Sequence, residues 1–235
     1  MKTPTKCVVL FSGGLDSTTA LVWAGRRYED VSALTFDYGQ RQRPEISAAR
    51  KIARSLGLPH AVLKIDGRRI GGSALTDPGI SLPRYSRVPR LRTASPPATY
   101  VPFRNGVFLA LAAAWAEARG ISELVCGFNV LDSPDYPDTR AAFVRAMERA
   151  INAGTKAAFG PPAMKIRAPF LGLKKSEIIK LGLSLGADYS RSVTCYSGGE
   201  SPCGSCSSCR LRARAFQEAG IEDPLIQRLG RGGGL

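Results

Sequence analysis

Apolar and polar positions along the chain follow two periods that take turns. Residues 6–11 (KCVVLF) are a short apolar run that stops at Ser-Gly-Gly. From Ser17 to Arg27 apolar side chains return at helical spacing, at Leu21, Trp23 and Ala24. That succession predicts strand, turn and helix. The pattern repeats: 31–36 reads as a strand, 45–56 as a helix closed by Gly57 and Pro59, and 61–65 as a third strand. Strands alternating with helices imply a parallel sheet covered on both faces.

Residues 67–99 interrupt this order with a stretch rich in Pro, Gly, Ser and Arg. A connection of that length predicts a lid or binding loop. The segment 105–119 is apolar on nearly every helical face, which predicts a helix lying deep in the molecule. Gly120 closes it, and 123–128 (ELVCGF) reads as a buried strand. After a loop, 139–159 predicts a helix with Phe143, Met147 and Ile151 at spacing four. The last strand is expected at 164–170 and the last helix before the cysteines at 174–186. The Gly-rich end, 230–235, is expected to fray. The expected architecture is therefore α/β, a parallel five-stranded doubly wound sheet, with a small cysteine-bearing lobe. The division falls at 1–190 and 191–235.

Composition narrows the function classes. Of 235 residues, 44% are apolar and 22% charged, which excludes a disordered or collagen-like chain. The longest apolar stretch, 107–116, is about half the roughly 20 residues a membrane helix needs. Met1 to Lys6 leads straight into a strand-like run, so a cytoplasmic protein is expected. The single histidine, His60, argues against a Ser-His-Asp triad. Net charge is +14, and 13 basic residues fall between Arg41 and Arg104 against only Glu45, Asp66 and Asp77. Such an excess suits an anionic partner, a nucleotide, an acidic macromolecule or a carboxylate substrate; its plain alternative is a solvated Arg-rich face.

Two constellations carry chemistry. Ser12-Gly13-Gly14-Leu15-Asp16-Ser17 sits between a strand and a helix. Two glycines let the backbone turn sharply, and the amides opening the next helix face an anion. Ser12, Ser17 and Thr18 add hydroxyls, and Asp16 suits a magnesium ion bridging phosphate oxygens. No Gly-Lys-Ser/Thr follows, so this is not the lysine-bearing loop of GTPases. The second constellation is Cys195, Cys203, Cys206 and Cys209, C-x7-C-x2-C-x2-C in a Gly- and Ser-rich segment. Four thiolates at that spacing close a tetrahedral zinc site; an iron–sulfur cluster is the competitor, and disulfides do not suit the compartment. Zinc would order a segment with almost no core of its own, with ~10–16 kcal/mol of apparent binding energy. Cys7 and Cys126 lie in apolar strand segments and read as core residues.

The SGGxDS string resembles the pyrophosphate loop of the ATP-pyrophosphatase (PP-loop) family. That resemblance implies an adenine nucleotide alpha hydrolase-like fold and ATP split between its alpha and beta phosphates. With the cysteines, the chain is similar to the 7-cyano-7-deazaguanine synthases over nearly its whole length. The matching strings are Phe11 to Thr19 (FSGGLDSTT), Phe36 to Gln40 (FDYGQ), Ser73 to Asp77 (SALTD) and Thr99 to Asn105 (TYVPFRN). Tyr136-Pro137-Asp138 with Arg140 and Phe143, Lys175 with Glu177, and Leu211 to Ala213 complete it.

This resemblance implies a ligase that makes preQ0 from 7-carboxy-7-deazaguanine, ammonia and ATP. It implies ATP, Mg2+ and Zn2+, with a homodimer. ATP is expected at Phe11, Ser12, Gly13, Gly14, Leu15, Asp16, Ser17, Thr18, Tyr38 and Gln40. Arg104, Asn105, Asp132, Tyr136 and Asp138 are expected at the deazaguanine, and Asp16, Arg104 and Lys175 at the chemistry. Two departures stand out: Phe103 replaces the glycine of TYVPGRN, and Pro134-Asp135 replaces Ser-Gly. Both are expected to line the base pocket, which leaves open a paralogue that stops at the amide or transfers the activated base to a macromolecule. A tRNA-thiolating enzyme and a non-catalytic zinc module on nucleic acid are the remaining alternatives.

Overall fold

The structure is a computed structural model that describes residues 5–89, 95–131, 135–199 and 201–231. Five strands, β1 (Lys6–Leu10), β2 (Asp30–Asp37), β3 (His60–Lys64), β4 (Glu123–Cys126) and β5 (Lys165–Arg167), pair in the order β3-β2-β1-β4-β5. Every pairing is parallel, with Val9 facing Ala33 on one side and Val125 on the other. The chain steps outward from β1 through β2 to β3, then crosses to the other side of β1 for β4. That reversal opens a crevice at the C-terminal ends of β1 and β4, where such sheets hold their ligands.

Helices cover both faces because successive strand residues point to opposite sides. Cys7 and Val9 of β1 face α1 (Leu15–Gly25), α2 (Pro44–Ser55), α5 (Lys175–Ser184) and α6 (Ser207–Ala219). Val8, Leu34 and Leu124 face α3 (Arg104–Glu117) and α4 (Ala141–Ala153).

The structure departs from the sequence pattern in several places. The helix expected at 139–159 is α4 alone, since Arg140 is extended and Gly154 ends it; Lys156–Phe159 is a separate 3-10 turn. The last strand is only Lys165–Arg167, and β4 stops at Cys126 because Gly127 leaves the sheet to meet α1. Helix α3 is not buried all round: Leu109, Ala112, Ala113 and Ala116 face the sheet while Ala110 and Ala114 are exposed. Apolarity there reflects small side chains rather than depth. The expected lid is packed down. Arg41 Nη2 donates to the carbonyls of Asp77 (2.8 Å) and Ile80 (3.1 Å), Tyr85 N–H donates to Ser205 O (2.7 Å), and Arg210 Nε donates to Tyr85 O (3.0 Å).

One further helix, α7 (Pro224–Arg231), carries no clear sequence signal before it. It is tied to α6 through Arg212, a buried guanidinium whose donors are all occupied. Nε and Nη2 bind the Asp223 carboxylate at 2.6 and 2.8 Å. Nη1 reaches Ser192 O and Oγ at 3.0 and 2.9 Å, and Nη2 also reaches Tyr189 O. Breaking such a pair strands the partner charge in the interior. Arg212→Ala should cost about 3–5 kcal/mol in urea unfolding; a loss under about 1 kcal/mol would mean the clamp contributes little.

Candidate active site

The loop after β1 turns through Gly13, whose φ is +79°. A Cβ there would lie 2.5 Å from Glu45 O and 2.6 Å from Ala49 N, so the first turns of α2 rest directly on the bare backbone. Gly127, leaving β4, packs as closely on α1: its Cβ would lie 2.8 Å from the Asp16 carbonyl. Gly14 caps α1, whose first amides have no partner within the helix and face the crevice. Ser17 Oγ and Thr18 Oγ1 both donate to Gly14 O, at 3.0 and 2.8 Å. Their protons therefore brace the loop, which differs from their expected use on the anion. Gly13 and Thr18 shape the turn without lining the cavity; Phe11, Ser12, Gly14, Leu15, Asp16 and Ser17 line it.

The cavity is about 290 Å³ and draws its walls from both chain halves: the loop, Tyr38, Gln40, Gln42, Glu45, Arg104, Asn105, Tyr136 and Lys175, with Thr194, Tyr196, Ser208 and Arg212 from the cysteine-bearing region. Helix α1 supplies Asp16 and the start of α5 supplies Lys175, and Lys175 Nζ donates to Asp16 Oδ2 at 2.5 Å. Glu177 fixes that helix start by accepting from Lys174 N–H at 2.6 Å. Asp16 Oδ1 is buried with no hydrogen-bond partner among the described residues.

Across the cavity, Arg104 Nη1 donates to Tyr38 Oη at 3.2 Å, with the guanidinium 5.8 and 5.9 Å from the ring centres of Tyr38 and Phe108. Its Nε is buried without a partner among the described residues, as is Gln42 Oε1. Gln40 serves the backbone, accepting from Tyr38 N–H (2.8 Å) and donating to Phe36 O (3.2 Å). Burial pushes the Glu45 carboxyl up from 4.5 to about 8; Arg104 opposes that shift and Cys195 adds to it. Tyr38 and Tyr196 are raised, chiefly by burial.

Asn105 lines the cavity while its N–H and Nδ2 donate to Asp138 Oδ2 (3.0 Å) and O (3.2 Å). Asp138 thus caps the start of α3 and does not line the cavity, in contrast to its expected contact with substrate. Tyr136 Oη is hydrogen-bonded to Thr99 Oγ1 at 2.8 Å. Asp132 and Pro134 lie outside the described residues. Phe103 corrects an expectation. Its φ of +50° turns the side chain outward, half exposed, onto Gly106 and edge-on to Phe143 (5.9 Å), away from the cavity. Asp135 does not line the cavity either. The departures at 103 and 135 therefore do not reshape the pocket walls described here.

The four cysteine sulfurs lie within 4.8 Å of one another, close to the ~3.8 Å separation implied by ~2.3 Å bonds in a tetrahedron. The cluster can hold a metal. Backbone N–H groups of Cys203, Cys206 and Cys209 donate to Cys195, Cys203 and Cys206 sulfurs at 3.4, 3.3 and 3.4 Å, bonds that favour thiolates. Val193 N–H donates to Gly13 O at 3.0 Å, so the cysteine segment is bonded to the phosphate-loop backbone itself.

Sequence reasoning missed Gln42, Glu45, Tyr196 and Arg212. Glu45 had a signal, being one of three acids in a strongly basic stretch, but at a helix start beside Pro44 it reads as ordinary helix punctuation.

A sequence model described as queuosine biosynthesis protein QueC matches residues 6–220. A 7-cyano-7-deazaguanine synthase of Azotobacter vinelandii is 47% identical, covering 93% of this chain and 96% of its own. Another from Anaeromyxobacter sp. is 47% identical over 96% and 97%. Among solved structures, a predicted subunit of tRNA methyltransferase from Methanocaldococcus jannaschii shares the fold at TM-score 0.51 and 17% identity, covering 93% of this chain and 91% of that one. A 4-thiouridine synthetase in an RNA complex with bound ATP also shares it, at TM-score 0.51 and 18% identity, over 97% of this chain and 54% of its own.

The partly buried Glu45 carboxyl has a consequence for stability. Between pH 4.5 and about 8 the folded chain holds a proton the unfolded chain has lost, so stability falls as pH rises through that window. The thermal midpoint of Glu45→Gln, relative to wild type, should therefore rise from pH 5 to pH 8.5 by at least ~2–4 °C, the shift of about 1 kcal/mol for a chain this size. A pH-independent difference would contradict it.

Proposed function

The chain belongs to the queuosine biosynthesis protein QueC family, and on that premise we propose that it is an ATP-dependent carbon–nitrogen ligase converting 7-carboxy-7-deazaguanine and ammonia to 7-cyano-7-deazaguanine. The observation that carries this reading is the near-full-length identity to 7-cyano-7-deazaguanine synthases, together with one cavity in which the SGGLDS loop, Arg104 and Lys175 meet.

A carboxylate resists ammonia until its oxygen is made a leaving group. The substrate carboxylate attacks the alpha phosphorus of ATP, pyrophosphate leaves, and an acyl adenylate forms. Ammonia then displaces AMP to give the amide. In a second round the amide oxygen takes AMP from another ATP, and loss of that AMP with the two nitrogen protons leaves the nitrile. One nitrile therefore requires two ATP and yields two AMP. The enzyme's task is to hold two anions together and stabilise the charge that builds on the phosphorus oxygens.

In this reading the loop from Phe11 to Thr18, with Tyr38 and Gln40, forms the nucleotide site. The amides opening α1 face its phosphates, and Lys175, beside Asp16, stabilises the transferring phosphoryl group. Arg104, Asn105 and Tyr136 face the deazapurine; Asp132 remains part of the proposed substrate site, and Asp138 acts through the α3 start. Asp16 Oδ1, buried without a partner, fits a magnesium ion, which would supply added charge neutralisation at the phosphates. The four thiols fit zinc in a structural role, as the fastening of the 191–235 lobe.

A cytoplasmic location is supported by six free cysteines, which suit a reducing compartment. No helix among the described residues is long and apolar enough to cross a membrane. A homodimer is supported by the resemblance. The exposed cations on and just before α2, Arg43, Arg50, Lys51 and Arg54, support an acidic macromolecular partner; the small-molecule reaction does not use them.

Mass spectrometry of the products tests the reading. Given 7-carboxy-7-deazaguanine, ATP, magnesium and ammonia, the chain should form the nitrile with two AMP each, and Asp16→Asn should slow it by ~10²-fold or more. Amide accumulating with one AMP each and no nitrile would contradict it.

A further inference from the structure

Two carboxylates line the cavity, and only one is engaged. Asp16 is held by Lys175. Glu45 has no hydrogen-bond or ion-pair donor among the described residues, yet its charge bears on Arg104, Tyr38 and Tyr196, all of them in the cavity wall. A carboxyl without a partner is costly to ionise there, and a ligand that brings two donors would satisfy it as a carboxylate. Glu45 itself is partly exposed, towards the cavity, and two further polar atoms of the wall, Arg104 Nε and Gln42 Oε1, are buried with no partner among the described residues. Around them Phe36 and Phe108 stack at 4.2 Å and Tyr38 stands edge-on to Phe108 at 5.3 Å, flat apolar walls suited to an aromatic ring.

The unmet groups are two acceptors and one donor. A 7-deazaguanine ring offers the complement along one edge: N1–H and the 2-amino group are adjacent donors pointing the same way, and O6 beside them is an acceptor. The two donors match the two oxygens of one carboxylate. The adenine ring of ATP does not match, since its N1 is an acceptor and would face the carboxylate's lone pairs. We propose that Glu45 is the residue that reads the N1–H and 2-amino edge of the deazaguanine, with Arg104 donating to O6. The inference rests on the reaction proposed above and adds what selects the base. Glu45 is well placed for the role: its own carbonyl lies against Gly13, so the backbone that carries the carboxylate is fixed against the phosphate loop. Holding the base by this edge leaves C7, on the other ring, free for chemistry.

The test compares 7-carboxy-7-deazaguanine with its analogue lacking the 2-amino group, on wild type and Glu45→Gln, reading nitrile and AMP. Wild type should favour the full substrate by ~10²-fold or more in kcat/KM, since a site built to bond a group rejects the analogue lacking it. Glu45→Gln should lose ~10–100-fold on the full substrate, mainly through KM, and discriminate by less than ~10-fold. Its KM for ATP should stay within about 2-fold of wild type, which also shows that the variant is folded. Wild type treating both bases alike would overturn the proposal without any variant. So would a Glu45→Gln that keeps full discrimination, loses kcat equally on both bases, or shifts chiefly in KM for ATP. Failure of wild type to form AMP or nitrile from the full substrate would instead overturn the reaction itself, and this inference with it.

Discussion

Three parts of the chain converge on the backbone of Gly13, and the site depends on their being able to. The residue adopts a left-handed conformation that closes the turn between β1 and α1. The first turns of α2 lie on its α carbon at a distance that leaves no room for a side chain, and its carbonyl accepts from Val193, two residues before the first clustered cysteine. A methyl group here would separate α2 from the loop and distort the conformation as well. The phosphate loop, the helix carrying Glu45 and the segment carrying Cys195 are thus fixed to one another through a single bare peptide.

The electrostatics of the cavity follow from that convergence. Asp16 and Lys175 form a close pair on one side, while Arg104 lies beside aromatic rings and a tyrosine hydroxyl on the other. Each pairing leaves one atom over, Asp16 Oδ1 and Arg104 Nε. Those leftovers are where ligands would complete the network. Much of the positive charge has no such part. Arg41 and Arg210 tie down the long segment after β3, and Arg68 and Arg69 pair with Asp66.

What could be read from the sequence was what is local. Ser12 to Ser17 announce themselves because two glycines between strand and helix have few other uses, and the cysteine spacing speaks for the cluster. The alternation of periods gave the parallel sheet. Glu45, Gln42 and Tyr196 stayed hidden because their partners are distant in sequence and each sits where its residue type is unremarkable. The bond from Asp138 to the α3 start stayed hidden for the same reason: beside Tyr136 the residue reads as a ligand, and only the folded chain brings it under that helix. Phe103 misled because a side chain's direction depends on φ, which a one-letter string does not carry. Helix α7 is held by Arg212 and Asp223 rather than by its own pattern.

If loop and cysteine segment are one structure, nucleotide binding should depend on the metal proposed for the four thiols. The direct measurement is calorimetric titration of ATP, in excess magnesium, into the chain before and after a zinc-selective chelator. Removing the metal releases the segment whose Val193 amide braces Gly13, so ATP affinity should fall at least ~10-fold, the loss of about 1.4 kcal/mol, and return when zinc is restored. Unchanged affinity in the metal-stripped chain would contradict the account.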